Sequence, residues 1–130
     1  MLKGFSDVQK RVGSSNYNGI VSLWTGGATD CSGTANATGN YDSKSNPAAC
    51  LSLYLDNQGP YTISAVDVEP ANCNVYQLNF YSDKSCSNLV DSPQGNGNRC
   101  FGVLSNEIVV SLDISYYGFS KSLKLLLNVN

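Results

Sequence analysis

Beyond residue 18 the chain alternates apolar and polar residues over most of its length, the period of two expected for strands with one buried face. Ile20 to Thr25 reads as a first strand, and Leu51, Leu53 and Leu55 alternate with Ser52, Tyr54 and Asp56 in a second. A third, Tyr61 to Glu69, shifts phase from Ile63 and Ala65 to Val66 and Val68, which a β-bulge near Ala65 would explain. Tyr76, Leu78 and Phe80 mark a fourth strand, closed by Asp83-Lys84-Ser85, with a brief strand after it at Asn88 to Val90. Phe101 and Val103 begin another. Ile108, Val110, Leu112, Ile114 and Tyr116 share one face of the clearest strand, and Leu123, Leu125, Leu127 and Val129 close the chain in the same style.

Turn chemistry separates these runs. Gln58-Gly59-Pro60 precedes the third strand, and the Asn96-Gly97 step inside the loop Ser92 to Asn98 suits a turn that needs positive φ. Gly26 to Pro47, rich in Gly, Ser, Thr, Asn and Asp, reads as one long loop, and residues 1 to 18 as a flexible lead-in to a single domain over 19–130. There is no internal repeat, and no sustained apolar period of 3.6. The expectation is an all-β domain, an antiparallel β-sandwich or small β-barrel of about eight strands.

Composition moves this picture out of the cell. Charged residues make up 14% of the chain, against about 25% in ordinary soluble domains, and Asn, Ser, Gly and Tyr carry the polar load. Net charge −2 leaves no basic field to attract nucleic acid or anionic lipid. The apolar run Leu125-Leu126-Leu127 is far shorter than the roughly 20 residues of a membrane-spanning helix. Met1 to Gly13 lacks the apolar core of a signal peptide, so the secreted reading carries the expectation that such a peptide has already been removed. Lys10-Arg11 is a dibasic pair of the kind processing proteases cleave, although two solvated charges in a loose terminus is the simpler reading.

The five cysteines, Cys31, Cys50, Cys73, Cys86 and Cys100, include no CxxC pair, which argues against a tetrahedral metal site and thioredoxin-like redox chemistry. Disulfides are the simpler use, in an oxidising compartment. An odd count leaves one cysteine over, so two intramolecular bonds are expected. Closing Cys86 with Cys100 around the Asn96-Gly97 loop would contribute roughly 3 kcal/mol, and Cys31 with Cys50 would tie down the long loop. Cys50 and Cys73 are also placed for a link between sheets. Buried reduced thiols in a cytosolic protein are the competing use.

The chain contains no histidine, which removes Ser-His-Asp and Cys-His nucleophile systems and His-based metal sites. Asp67 and Glu69 share one strand face, as a glycosidase pair would, but a solvated face opposite the core is the better explanation; strand-borne Asp56 and Asp113 stand no better. The loop from Asp30 to Asp42 contains oxygen ligands of the calcium type without EF-hand spacing. No cofactor is expected. Asn36-Ala37-Thr38 is a glycosylation sequon on the long loop. Trp24 and eight tyrosines could form a sugar-stacking surface; Tyr76 and Tyr116 fall on core faces, whereas Tyr54, Tyr81 and Tyr117 fall on the opposite phase and are the candidate binding aromatics.

The segment from Cys73 through Phe80-Tyr81-Ser82-Asp83 to Cys86-Ser87, followed by Gly95-Asn96-Gly97-Asn98-Arg99-Cys100, resembles the small secreted cysteine-rich proteins of filamentous fungi. Among these are hypersensitive-response-inducing elicitors of plant pathogens. The resemblance implies a secreted, non-enzymatic β protein that acts on a host cell-surface protein or glycan and triggers cell death or defence, and it transfers no catalytic residues. The Phe-Tyr-Ser-Asp stretch is also similar to the opening of a βγ-crystallin Greek key, without that family's calcium signature. A carbohydrate-binding lectin and a small glycoside hydrolase are the alternative functions.

Overall fold

A computed structural model describes residues 16–44, 49–72 and 74–120. It is all-β: β1 (Asn18–Trp24), β2 (Ala37–Asp42), β3 (Leu51–Ser52), β4 (Ala65–Pro70), β5 (Asn74–Tyr81), β6 (Leu89–Asp91), β7 (Gln94–Gly95), β8 (Arg99–Gly102) and β9 (Ser111–Ser120). They form two antiparallel sheets, ordered β2-β1-β4-β8 and β3-β9-β5-β6, with β7 also paired to β5. The fold is therefore a disulfide-stapled β-sandwich.

The inward rows supply the core. Val21, Leu23, Val66, Val68 and Phe101 from the first sheet meet Tyr76, Leu78, Phe80, Leu112, Ile114 and Tyr116 from the second, all buried. Tyr17 joins the two. Its ring packs against Tyr41, Tyr76 and Tyr116 at centroid separations of 5.9, 5.9 and 5.1 Å, in tilted or edge-on geometries that aromatic quadrupoles favour. Glycine makes the room: a Cβ on Gly19 would lie 2.5 Å from both the Tyr17 hydroxyl and the Glu69 carbonyl oxygen.

Tyr41 does more than fill space. Its hydroxyl donates to the Ala49 carbonyl at 2.7 Å and accepts from the Ile114 amide at 3.0 Å. Leu51 pairs with Leu112, so continuing that register would place Ala49 opposite Ile114. The phenol of a strand in one sheet thus replaces the missing rung of the other.

Several elements depart from the sequence pattern for identifiable reasons. Tyr17, inside the stretch expected to be a lead-in, is fully buried, and Asn16 bridges Ser115. The long loop contains β2, an edge strand whose inward row, Ala37, Gly39 and Tyr41, has too little apolar bulk to show alternation. The second strand shrinks to Leu51–Ser52 plus an isolated bridge between Tyr54 and Pro60, because positive φ at Asp56 and Asn57 turns the chain. There is no bulge at Ala65: the β1–β4 register runs unbroken from Trp24 opposite Ala65 to Gly19 opposite Pro70. Ala65 is apolar because it is buried on the outer face of the sheet. Around Ile108 to Val110 the phase inverts, with Ile108 exposed and Val109 buried, as the Val109 carbonyl accepts from Ile63 and the Val110 amide donates to Tyr81. Residues 1 to 15, including Lys10-Arg11, and the apolar series Leu123 to Val129 lie outside the described residues.

The disulfides are Cys31–Cys100 and Cys50–Cys86, with sequence separations of 69 and 36, not the shorter closures favoured by spacing. Cys86 and Cys100 cannot meet as expected because the chain carries them to different sheets, one in the β5–β6 loop and the other on β8. Each observed closure contributes about 4 kcal/mol in the loop-entropy account. Cys73 lies outside the described residues.

Two predictions come from this core. The Tyr17 hydroxyl is buried without a hydrogen-bond partner among the described residues, so Tyr17→Phe should leave stability unchanged or raise it by about 1 kcal/mol in denaturant melts, while Gly19→Ala should lower it by about 1–3 kcal/mol. Burial raises the pKa of Tyr17 and Tyr41 above the ordinary tyrosine value and pushes Tyr76 up to about 12, outweighing the opposing effect of the Arg99 charge on Tyr76. Since these folded-state values exceed the unfolded one, their stabilising contribution is complete below about pH 10 and is lost as pH rises from there toward the folded values. Phenolate absorbance from these rings should appear together with loss of the fold. Ionisation at the ordinary tyrosine value in an intact fold would contradict this.

Candidate functional site

The outer face of the second sheet carries the most connected polar group. On β5 the residues between the core positions are Gln77, Asn79 and Tyr81; in register across β9 they meet Ser115, Asp113 and Ser111. The Asn79 side-chain amide donates to Asp113 Oδ1 at 2.8 Å and the Tyr81 hydroxyl to Oδ2 at 3.0 Å. Ser92, beyond β6, donates to Asn79 Oδ1 and accepts from the Gln77 amide at 2.9 Å. Five side chains thus form one half-buried chain of hydrogen bonds across the sheet. The Tyr81 hydroxyl is pushed up to about 12, by burial first and then by the charge and hydrogen bond of Asp113.

Two neutral donors fix the Asp113 carboxylate without neutralising it. Each carboxylate oxygen keeps acceptor capacity, as does Gln77 Oε1, and the Asn79 and Gln77 amides each retain a second N–H. Such a surface suits a neutral ligand rich in hydroxyl groups.

Beside it, the loop from Ser82 to Asn88 winds around Asp83, whose carboxylate accepts from the Ser87 and Asn88 amides at 3.0 and 2.8 Å and from the Ser85 hydroxyl at 2.6 Å. The Ser85 hydroxyl and these amides hold the Asp83 carboxyl well below the usual range. The loop covers Ser111, an outward residue that is nevertheless fully buried and donates to the Asp83 carbonyl.

Tyr54 is 46% exposed in the turn before Pro60, just beyond β3, which lies two strands from the β5 that carries Tyr81; Tyr81 is half-buried with its hydroxyl committed; the Tyr117 side chain lies outside what is described. Trp24, the other candidate for sugar stacking, is buried. Asp67 and Glu69 do share the outer face of the first sheet, half-buried. The concave sites lie elsewhere: an apolar cleft of about 210 Å³ opens between β2 and β3 over Val21, Leu23, Leu51 and Leu53, and a smaller one of about 180 Å³ adjoins Asp42 and Ala49. Residues 45–48, between those two strands, lie outside the described set. Asp56 sits exposed in its turn.

Asp30 and Asp42 do not converge as calcium ligands. Asp30 accepts from the Ser32 amide and Asp42 from the Lys44 amide, each closing its own turn at opposite ends of the β1–β2 pair. Among the described residues no three His, Cys, Asp or Glu side chains group as metal ligands, and no helix is long and apolar enough to cross a membrane. Asn36 is exposed; its Oδ1 accepts from the Thr25 amide at 2.9 Å, leaving Nδ2, the atom a glycan would join.

The sequence offered Asp113 as a strand-borne carboxylate and Tyr81 as an off-core aromatic, but Ser92 was invisible because its partnership depends on the β5–β6 hairpin. No family model, curated protein or solved structure matches the chain.

Replacing Asp113 with Ala should strand the Asn79 amide and Tyr81 hydroxyl and cost about 1–3 kcal/mol of stability in denaturant melts, with Tyr81 then titrating at lower pH. Asp83→Ala should lower the melting temperature at neutral pH. Because its folded pKa is depressed, the Asp83 contribution is present above the unfolded value of about 4 and is lost as pH falls through the folded one, so wild type and variant should converge in strong acid.

Proposed function

We propose that this chain is a secreted, non-enzymatic effector of the fungal cysteine-rich type, which binds host plant cells and triggers cell death or defence. The observation that carries the reading is the pair of long-range disulfides, each fastening an irregular segment to the outside of a sandwich. Such cross-linking suits an oxidising compartment and survival outside a cell. Two cysteines of the fungal-type segment, Cys86 and Cys100, each take part in one of the bonds. The exposed sequon at Asn36 agrees with passage through a secretory pathway.

Infiltration of the purified, oxidised protein into leaves should cause local cell death or an oxidative burst that heated and reduced protein does not. An absence of response across several plant species would contradict the proposal.

A second reading, binding of a neutral glycan, is favoured by the Gln77–Ser92–Asn79–Asp113–Tyr81 network. Retention on immobilised neutral glycans should then weaken about tenfold or more in Asn79→Ala, the loss expected for one hydrogen bond to ligand and one to the carboxylate that orients it. Equal retention of variant and wild type would remove this reading.

A further inference from the structure

The outer face of the first sheet holds a tryptophan where a β-sandwich ordinarily presents polar residues to water. Val21 and Leu23 point into the core, so Trp24 belongs to the outward row with Ser22 and Ile20, and its register places it beside Ala65 and then Gly102. Yet Trp24 is only 8% exposed and Ala65 is fully buried, while Ile20 on the same row is 40% exposed. Something covers one end of this face. A Cβ on Gly102 would meet the Thr29 carbonyl oxygen at 2.5 Å, which identifies the cover as the segment from Thr25 to Asn36 folded back over the sheet.

The cover has little of its own to hold it down. Thr25-Gly26-Gly27-Ala28-Thr29-Asp30-Cys31-Ser32-Gly33-Thr34-Ala35-Asn36 contains no large apolar side chain. Its hydrogen bonds cluster at its base, from Thr25 to Asn36, from Gly27 to Ser64 and from the Asn36 amide to Leu23. Its far part is anchored by Cys31–Cys100. Cys31 reaches this bond with φ 59°, a left-handed conformation that costs a non-glycine residue energy and persists only under constraint. Beneath it the Trp24 indole N–H is buried without a partner among the described residues, so water at this site would relieve an unmet donor.

We infer that the Thr25–Asn36 segment is a reducible cover over Trp24, latched by Cys31–Cys100, so that oxidised and reduced protein present different outer faces. The reductant is a dithiol or glutathione-type thiol. Its thiolate attacks one sulfur of the pair, forming a mixed disulfide and releasing the other cysteine as thiolate; a second reductant thiolate then displaces the first cysteine. Two electrons pass to Cys31 and Cys100, which end as thiols on taking up two protons, and the reductant leaves as its disulfide. With the latch open the backbone at Cys31 relaxes and the indole, beside Ser22 and Asp67, becomes accessible.

Trp24 is the chain's only tryptophan, so its emission reads the cover directly. In the Cys31→Ser/Cys100→Ser variant, emission should shift to the red and acrylamide quenching should rise severalfold while far-ultraviolet circular dichroism stays that of the sandwich; Cys50→Ser/Cys86→Ser should leave Trp24 shielded. Unchanged quenching in the first variant, an equal rise in the second, or loss of the sandwich together with the latch would each overturn the inference. Gly102→Ala supplies an independent arm: with both disulfides intact it forces Thr29 away and should raise quenching, and no change would also overturn it.

Discussion

Each disulfide fastens a segment poor in large apolar residues to the outside of a sheet, and both outer faces of the sandwich depend on that attachment. On the first sheet the segment after β1 is drawn over Trp24 and Ala65 by Cys31–Cys100. On the second, the Asp83 loop is drawn over Ser111 by Cys50–Cys86. In both cases one cysteine of the pair takes a left-handed backbone, Cys31 at φ 59° and Cys86 at φ 56°. Neither segment could hold such a conformation by burial alone. At about 4 kcal/mol each, the two closures are comparable with the whole net stability of a domain this size, about 5–15 kcal/mol.

Between these faces the core solves a different problem, that of joining two sheets built from short strands. Tyrosine does so because its ring fills the core and its hydroxyl can still repair a backbone. Tyr41 completes the broken β3–β9 ladder, Tyr76 donates to the Gly97 carbonyl at 2.8 Å, and Tyr116 donates to the Asn18 carbonyl at 3.1 Å. Tyr17 packs among them with no partner for its own hydroxyl among the described residues. Glycines at 19 and 95 are the counterpart: a Cβ at Gly95 would sit 2.7 Å from the Phe101 ring. The two outer faces are consequently free to differ, one a polar network around Asp113 and the other a covered tryptophan.

Alternation in the sequence was sufficient for an all-β domain, though not for choosing a sandwich over a small barrel, because β5 and β9 obey it residue by residue: Tyr76, Leu78 and Phe80 face Leu112, Ile114 and Tyr116. It was insufficient wherever a residue is buried by something other than the opposite sheet. Ala65 looked like a phase error, since the covering segment adds a second apolar environment on the polar side, where it also buries Trp24. β2 was hidden because an edge strand with Ala37 and Gly39 inward carries no apolar signal. The cysteine pairing followed topology rather than spacing, and topology is long-range information. At the candidate site Tyr81 was legible as an off-core aromatic and Asp113 as a strand-borne carboxylate, but their joining into one network with Asn79 and Ser92 required the β5–β9 register and the β6 hairpin.

Everything claimed for the outer faces rests on which cysteines are joined. Non-reducing proteolysis with mass spectrometry of the cross-linked peptides tests that directly. The account predicts one linked pair containing Cys31 and Cys100 and another containing Cys50 and Cys86. Peptides joining Cys86 to Cys100 or Cys31 to Cys50, or free thiols at these four positions, would contradict it.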